Sequence, residues 1–167
     1  MLPKIRTILY CTSLGPHATY VFGYACALAK SLDARIVALH VIESLSRKQK
    51  ALVDGYTGPG RLQELIEKAH QQATEQLPRH LKDTLMVVSG EEEWDRLVTD
   101  VIIDEGRSER MILRHVEARK ADLVVIGAHT EASIIDRLIG TTARSLVKSC
   151  PVPVLTVQVP SGLKATT

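Results

Sequence analysis

The sequence predicts an α/β fold: a single open five-stranded parallel sheet with helices on both faces. Three observations lead there. First, short apolar runs such as Leu123–Ile126 are continuous rather than alternating, as in strands buried on both faces of a parallel sheet. Second, stretches with apolar residues at helical spacing separate those runs. Third, Gly and Pro punctuate the joins, so the order reads βαβαβαβαβ and implies helices on either side of a parallel sheet.

In chain order, Ile5–Tyr10 has strand composition and ends at the loop Cys11-Thr12-Ser13-Leu14-Gly15-Pro16. A helix follows from about His17 to Ser31, with Val21, Ala25, Leu28 and Leu32 on one face. Arg35–Val41 is the second strand, completing a βαβ unit. Residues 43–60 are polar and glycine-rich near their end, which predicts a mobile, irregular connection, either a lid over the sheet edge or a solvated loop with no role. Arg61 to about Arg79 is the second helix, carrying Leu62, Ile66, Ala69, Ala73 and Leu77 on one stripe, with Pro78 expected near its end. Leu85–Val88 has strand-like character, and Trp94 is expected to pack against the body. Val98–Asp104 is assigned to the third strand. Ser108–Lys120 is the third helix, with Ser108 as N-cap and Ile112 and Val116 facing the core. Asp122–Gly127, a helix Thr141–Ser149 and Val154–Val159 complete the pattern, which forms one domain over residues 1–160. The tail 161–167 reads as disordered.

Composition narrows the function. The chain has 167 residues, 45% hydrophobic, enough for one domain with a core. Its 21 basic and 19 acidic residues are mixed along the sequence and leave a formal charge of +2, which argues against a nucleic-acid surface. Aromatic residues make up 4%, too few for base-stacking platforms. No apolar run approaches the roughly 20 residues of a membrane span, and the N-terminus lacks a secretory apolar region. Cys11, Cys26 and Cys150 fit no metal spacing, and reduced thiols point to a cytoplasmic protein.

The chemistry concentrates between Gly127 and Thr142. Gly127 closes a strand, and Gly140-Thr141-Thr142 opens the last helix, whose first turn leaves N–H groups free beside two hydroxyls. That is a site for phosphate or another anion; helix capping alone is the plainer reading of the same residues. His129 and Arg137, in the intervening loop, are candidates to line the crevice or neutralise an anion, as they are to be ordinary surface residues. The sequence has no phosphate-binding loop with a lysine, no G-x-G-x-x-G after the first strand and no G-x-S-x-G elbow. Cys11 is the one candidate nucleophile, and without a neighbouring His or Lys it is expected to be inert. A binding protein, not an enzyme, is expected.

The segment Gly127-x2-Thr130-x9-Gly140-Thr141, followed by a helix and Cys150-Pro151-Val152-Pro153-Val154, resembles the C-terminal signature of the universal stress protein family, with Thr130 in place of its middle glycine. The likeness extends from Ile5 to Val157. It implies the strand order 3-2-1-4-5 and a ligand crevice at the C-terminal ends of strands 1 and 4. It also implies binding of ATP or another adenine nucleotide, with Mg2+ as a companion ion, through Thr12, Ser13, Val41, Gly127, Thr130, Gly140, Thr141 and Thr142. Ser13 stands where the family carries an aspartate for the ribose, and Val41 where main chain meets the adenine. Thr130 places a β-branched side chain where the loop favours glycine. The likeness further implies a homodimer pairing through Val152–Val159. The alternative is a family member whose crevice stays empty and which acts through dimerisation and protein contacts; slow ATP hydrolysis is a weaker third reading.

Overall fold

The computed structural model describes residues 2–15, 17–58, 60–89, 93–128 and 140–160. Five strands form one sheet in the order β3-β2-β1-β4-β5. They are β1 (Thr7–Thr12), β2 (Arg35–Glu43), β3 (Val98–Gly106), β4 (Leu123–Ala128) and β5 (Val154–Gln158), and every pairing is parallel. The helices are α1 (Ala18–Leu32), α2 (Arg47–Thr57), α3 (Arg61–Ser89), α4 (Glu93–Leu97), α5 (Ser108–Ala118) and α6 (Thr141–Ser149). The expected sheet, its order and its two helical layers are all present. The disordered tail expected at 161–167 lies outside the described residues.

Alternation along the strands divides the core. Ile8 and Tyr10 of β1 face a layer built by Val21, Phe22 and Ala25 of α1 and Leu77, Leu81 and Leu85 of α3. Leu9 and Cys11 face the opposite layer, with Ile112 and Val116 of α5 and Leu146 of α6. Strand β1 is therefore buried on both faces, and its continuous apolar sequence follows from that. Asp122 locks the start of the sheet by accepting the N–H groups of Arg6 at 2.8 Å and Thr7 at 2.9 Å.

Three expectations change. Residues 43–60 are not irregular throughout, because α2 forms within them. Ser46 and Gln49 make a capping box: the Gln49 N–H donates to Ser46 Oγ at 3.3 Å, and the Ser46 N–H to Gln49 Oε1 at 2.9 Å. Helix α2 ends at Gly58, whose φ of 90° only glycine adopts readily. Next, α3 does not stop at Pro78 but runs on to Ser89. An interior proline costs about 3 kcal/mol or more, yet Leu81 and Leu85 beyond it are fully buried, and each such side chain contributes roughly 1.5–3 kcal/mol. Their spacing after Leu77 continues one helical stripe, so Leu85–Val88, strand-like in composition but left unassigned by the sequence, is helix. Finally, Ser108 is the first residue of α5 and not its cap. Trp94 is half-buried against the α1/α3 layer, as expected.

Candidate functional site

In a parallel sheet whose order reverses beside its first strand, the C-terminal strand ends diverge and leave a crevice. Here β1 leaves β2 after the pair Thr12–His40 and leaves β4 after Cys11–Ile126. A cavity of about 230 Å³ opens at that point. Its inner wall is apolar, made by Leu39 of β2, Ile112 of α5, and Ala18 and Val21 of α1. Its rim carries Thr12, Ser13, Val41, Gly127, Gly140, Thr141 and Thr142. Seven of the eight expected site residues thus come together. The eighth, Thr130, lies outside the described residues, as do His129 and Arg137.

Each position has a local cause. Thr12 ends β1 buried, and its Oγ1 accepts the Leu14 N–H at 3.1 Å. That bond turns the chain into the left-handed conformation at Leu14, φ 59°, and leaves Ser13 exposed at the mouth. Thr12 C=O is also held by His40 Nδ1 at 2.8 Å, fixing the end of β1 against β2. Because the Arg35 N–H donates to Arg6 C=O, the odd residues of β2 present their main chain toward β1. Val41 is the residue in that series at which β1 has already turned away, so its carbonyl faces the crevice. Its side chain is half-buried against the α5 layer.

The floor at the anion end is the start of α6. Its first intrahelical bond is Arg144 N–H to Gly140 C=O at 2.9 Å, so the N–H groups of Thr141, Thr142 and Ala143 precede the ladder. Gly140, the N-cap, contributes no side chain, and the first turn holds no acidic residue. The positive end of the helix dipole is therefore presented to the crevice without an internal counter-charge. Gly140 has φ −51°, which any residue tolerates, and Gly127 sits in regular pairing with Val157. Neither glycine is therefore required by backbone angle; each leaves its lip of the crevice without a side chain.

Sequence reasoning missed the apolar wall and a second, polar cavity of about 270 Å³ that shares Ser108, Thr141 and Thr142 with the first. Its other lining among the described residues is Glu43, Arg107, Glu109 and Ser145. Here Glu43 Oε2, at the end of β2, accepts the Ser108 N–H at 3.1 Å and the Ser108 hydroxyl. The cap of α5 thus comes from 65 residues away in sequence, which local capping patterns do not reveal. The topology could have found it, because in a parallel sheet the end of β2 and the start of α5 lie on the same side.

Among the described residues lining the crevice, the titratable groups are Tyr10 and Cys11, and burial keeps both uncharged. Burial pushes the Tyr10 phenol far above its ordinary range, and its hydroxyl donates to Ala18 C=O at 2.8 Å, closing the inner wall. Burial likewise pushes the Cys11 thiol far up, which makes it a poor nucleophile. Among the described residues no cluster of three or more His, Cys, Asp and Glu could hold a metal ion. No helix among them is long and apolar enough to cross a membrane.

Comparison with known proteins decides the family. The sequence profile of the universal stress protein family matches residues 4–158. The chain belongs to the universal stress protein family. It is 22% identical to the universal stress protein MJ0577 of Methanocaldococcus jannaschii, over 92% of this chain and 94% of that one. A universal stress protein of Thermus aquaticus is 25% identical over 92% of this chain and 98% of its own. Solved structures agree on the fold: MJ0577 superposes with TM-score 0.68 at 21% identity, covering 95% of this chain and 99% of that one. A universal stress protein solved in complex with cAMP superposes with TM-score 0.56 at 16% identity, covering 93% of this chain and 98% of its own.

Proposed function

We propose that this universal stress protein binds an adenine nucleotide in the crevice between β1 and β4, and that it acts by binding and signalling rather than by catalysis. One observation carries the reading: Ser13, Val41, Gly127 and the Gly140–Thr142 turn line a single cavity, apolar inside and open to a helix N-terminus at its rim. The apolar wall accepts a flat base, and the Val41 carbonyl offers an acceptor to an exocyclic amine. The Ser13 hydroxyl reaches a ribose as a neutral partner, and the start of α6 receives a phosphate. The cAMP complex of a relative supports a ligand of this class. The protein works in the cytoplasm with its thiols reduced, as a homodimer joined along β5, which lies at the sheet edge.

Calorimetric titration with ATP and Mg2+, AMP and cAMP tests the ligand. Saturation at 100 times the dissociation constant raises stability by about 2.7 kcal/mol, seen as a higher melting temperature. The variant Gly140→Val places a branched side chain at the crevice lip at a φ that valine tolerates, and it should lose binding while staying folded with a slightly lower melting temperature, because valine is a poorer N-cap than glycine. The absence of both heat and a melting shift at millimolar nucleotide would retire this proposal in favour of an empty crevice and function through protein contacts alone.

A further inference from the structure

The polar cavity beside the crevice is charged against its neighbour. Glu43 occupies the N-terminus of α5, bonded to the N–H and hydroxyl of Ser108. Glu109, one residue on, accepts the Ser149 hydroxyl at 3.1 Å, and hydrogen bonds from Ser145 and Ser149 hold its carboxyl below the usual range. The cation lining this cavity, Arg107, is drawn to Glu109 at 3.9 Å. Among the described residues, two carboxylates therefore face one arginine. The adjoining first turn of α6 has no acid at all. Thr141 and Thr142 belong to both cavities, so an anion seated on them lies at the boundary between a crevice whose described lining carries no charged side chain and a pocket whose described lining is net negative.

Building on the nucleotide-binding reading, we propose that Glu43 and Glu109 are specificity-determining residues that limit the crevice to ligands of low phosphate charge. The ligand class is a nucleoside monophosphate or a cyclic phosphate rather than a metal-free triphosphate. The first phosphate gains the helix dipole and the hydroxyls of Thr141 and Thr142. Each further ionised phosphate adds charge within reach of two fixed carboxylates, one of which already holds the α5 N-terminus that would otherwise receive it. Glu43 is exposed and Glu109 half-buried, so water moderates this repulsion and it should weaken as salt is raised. A divalent cation on the ligand would cancel part of it.

The test is calorimetric titration of wild type, Glu43→Gln and Glu109→Gln with AMP and with ATP in the presence of a chelator. The glutamine amides keep an acceptor for Ser108 and Ser149, and thermal melts confirm that each variant is folded. Wild type should bind AMP about tenfold or more tighter than metal-free ATP. Either variant should tighten ATP several-fold while moving AMP by less than about twofold, and added Mg2+ should narrow the gap in wild type. AMP bound no more tightly than ATP by wild type would overturn charge selection while leaving nucleotide binding intact. A ratio unmoved in both variants would show that these carboxylates do not set it. If neither nucleotide binds wild type, the nucleotide-binding reading fails and this inference fails with it.

Discussion

Asp104 shows how one residue on β3 fastens a whole helix. Its Oδ2 meets His115 Nε2 at 2.8 Å and the Arg114 guanidinium, while Oδ1 accepts the Glu105 N–H at 2.9 Å. Burial pulls its carboxyl upward, but His115, the Glu105 N–H and Arg114 together outweigh that and hold it below the ordinary carboxylate value. The sign follows directly. A depressed folded-state value stabilises the fold at neutral pH, and that contribution disappears as pH falls from about the unfolded value of 3.8 through the folded one. Asp104→Asn should therefore lower the urea midpoint at pH 7 and flatten its fall below pH 4. An unchanged acid limb in the variant would show that other carboxylates govern acid unfolding. At this scale the sequence was partly legible. Gly127, Gly140 and Thr141 announced themselves by spacing, whereas Glu43 did not, because its partner Ser108 is remote in sequence and close only in space.

At the scale of elements, α3 is the clearest case of packing overriding local propensity. Pro78 reads as a stop, and the helix passes through it because Leu77, Leu81 and Leu85 are all buried against the sheet. Truncating Leu81 to alanine should cost about 2–5 kcal/mol, measured by chemical unfolding, because the side chain is fully buried in the core that α1, α3 and the sheet share. A loss below 1 kcal/mol would mean that the second half of α3 is loosely held. Helix α2 differs, since none of its residues is buried. Its capping box is then a large share of what maintains it, and Ser46→Ala should cost about 0.5–2 kcal/mol of local stability, read as faster amide exchange within α2. The Ser46-x-x-Gln49 signature was present in the sequence, but glycines nearby drew that stretch toward a loop. Strands were easier to place, because burial on both faces leaves an unbroken apolar run that few other structures produce.

At the scale of the molecule, the sheet has two edges, and β5 is one of them. Val124 N–H donates to Pro153 C=O at 3.0 Å, so residues 153, 155 and 157 bond to β4, and the main-chain groups of Val154, Thr156 and Gln158 point outward. An outward row of donors and acceptors beside half-buried Val152 and Val154 suits an isologous pairing with a second copy. Thr156→Pro removes one outward N–H without touching the β4 ladder, and sedimentation should show a dimer in wild type and a monomer in the variant. A wild-type monomer at micromolar concentration would refute the pairing. Val157 is unsuitable for such a test, because its side chain is buried in the α1/α3 layer and its loss would unsettle the fold itself.

Because β1 lies mid-sheet with a bonded neighbour on each side, its amides have no cheap route to solvent. Deuterium reaches Leu9 or Tyr10 only when the entire domain opens. An occupant gripping the end of that strand would therefore slow labelling throughout the core at once, turning the protein's most protected segment into its gauge of whether the crevice is filled.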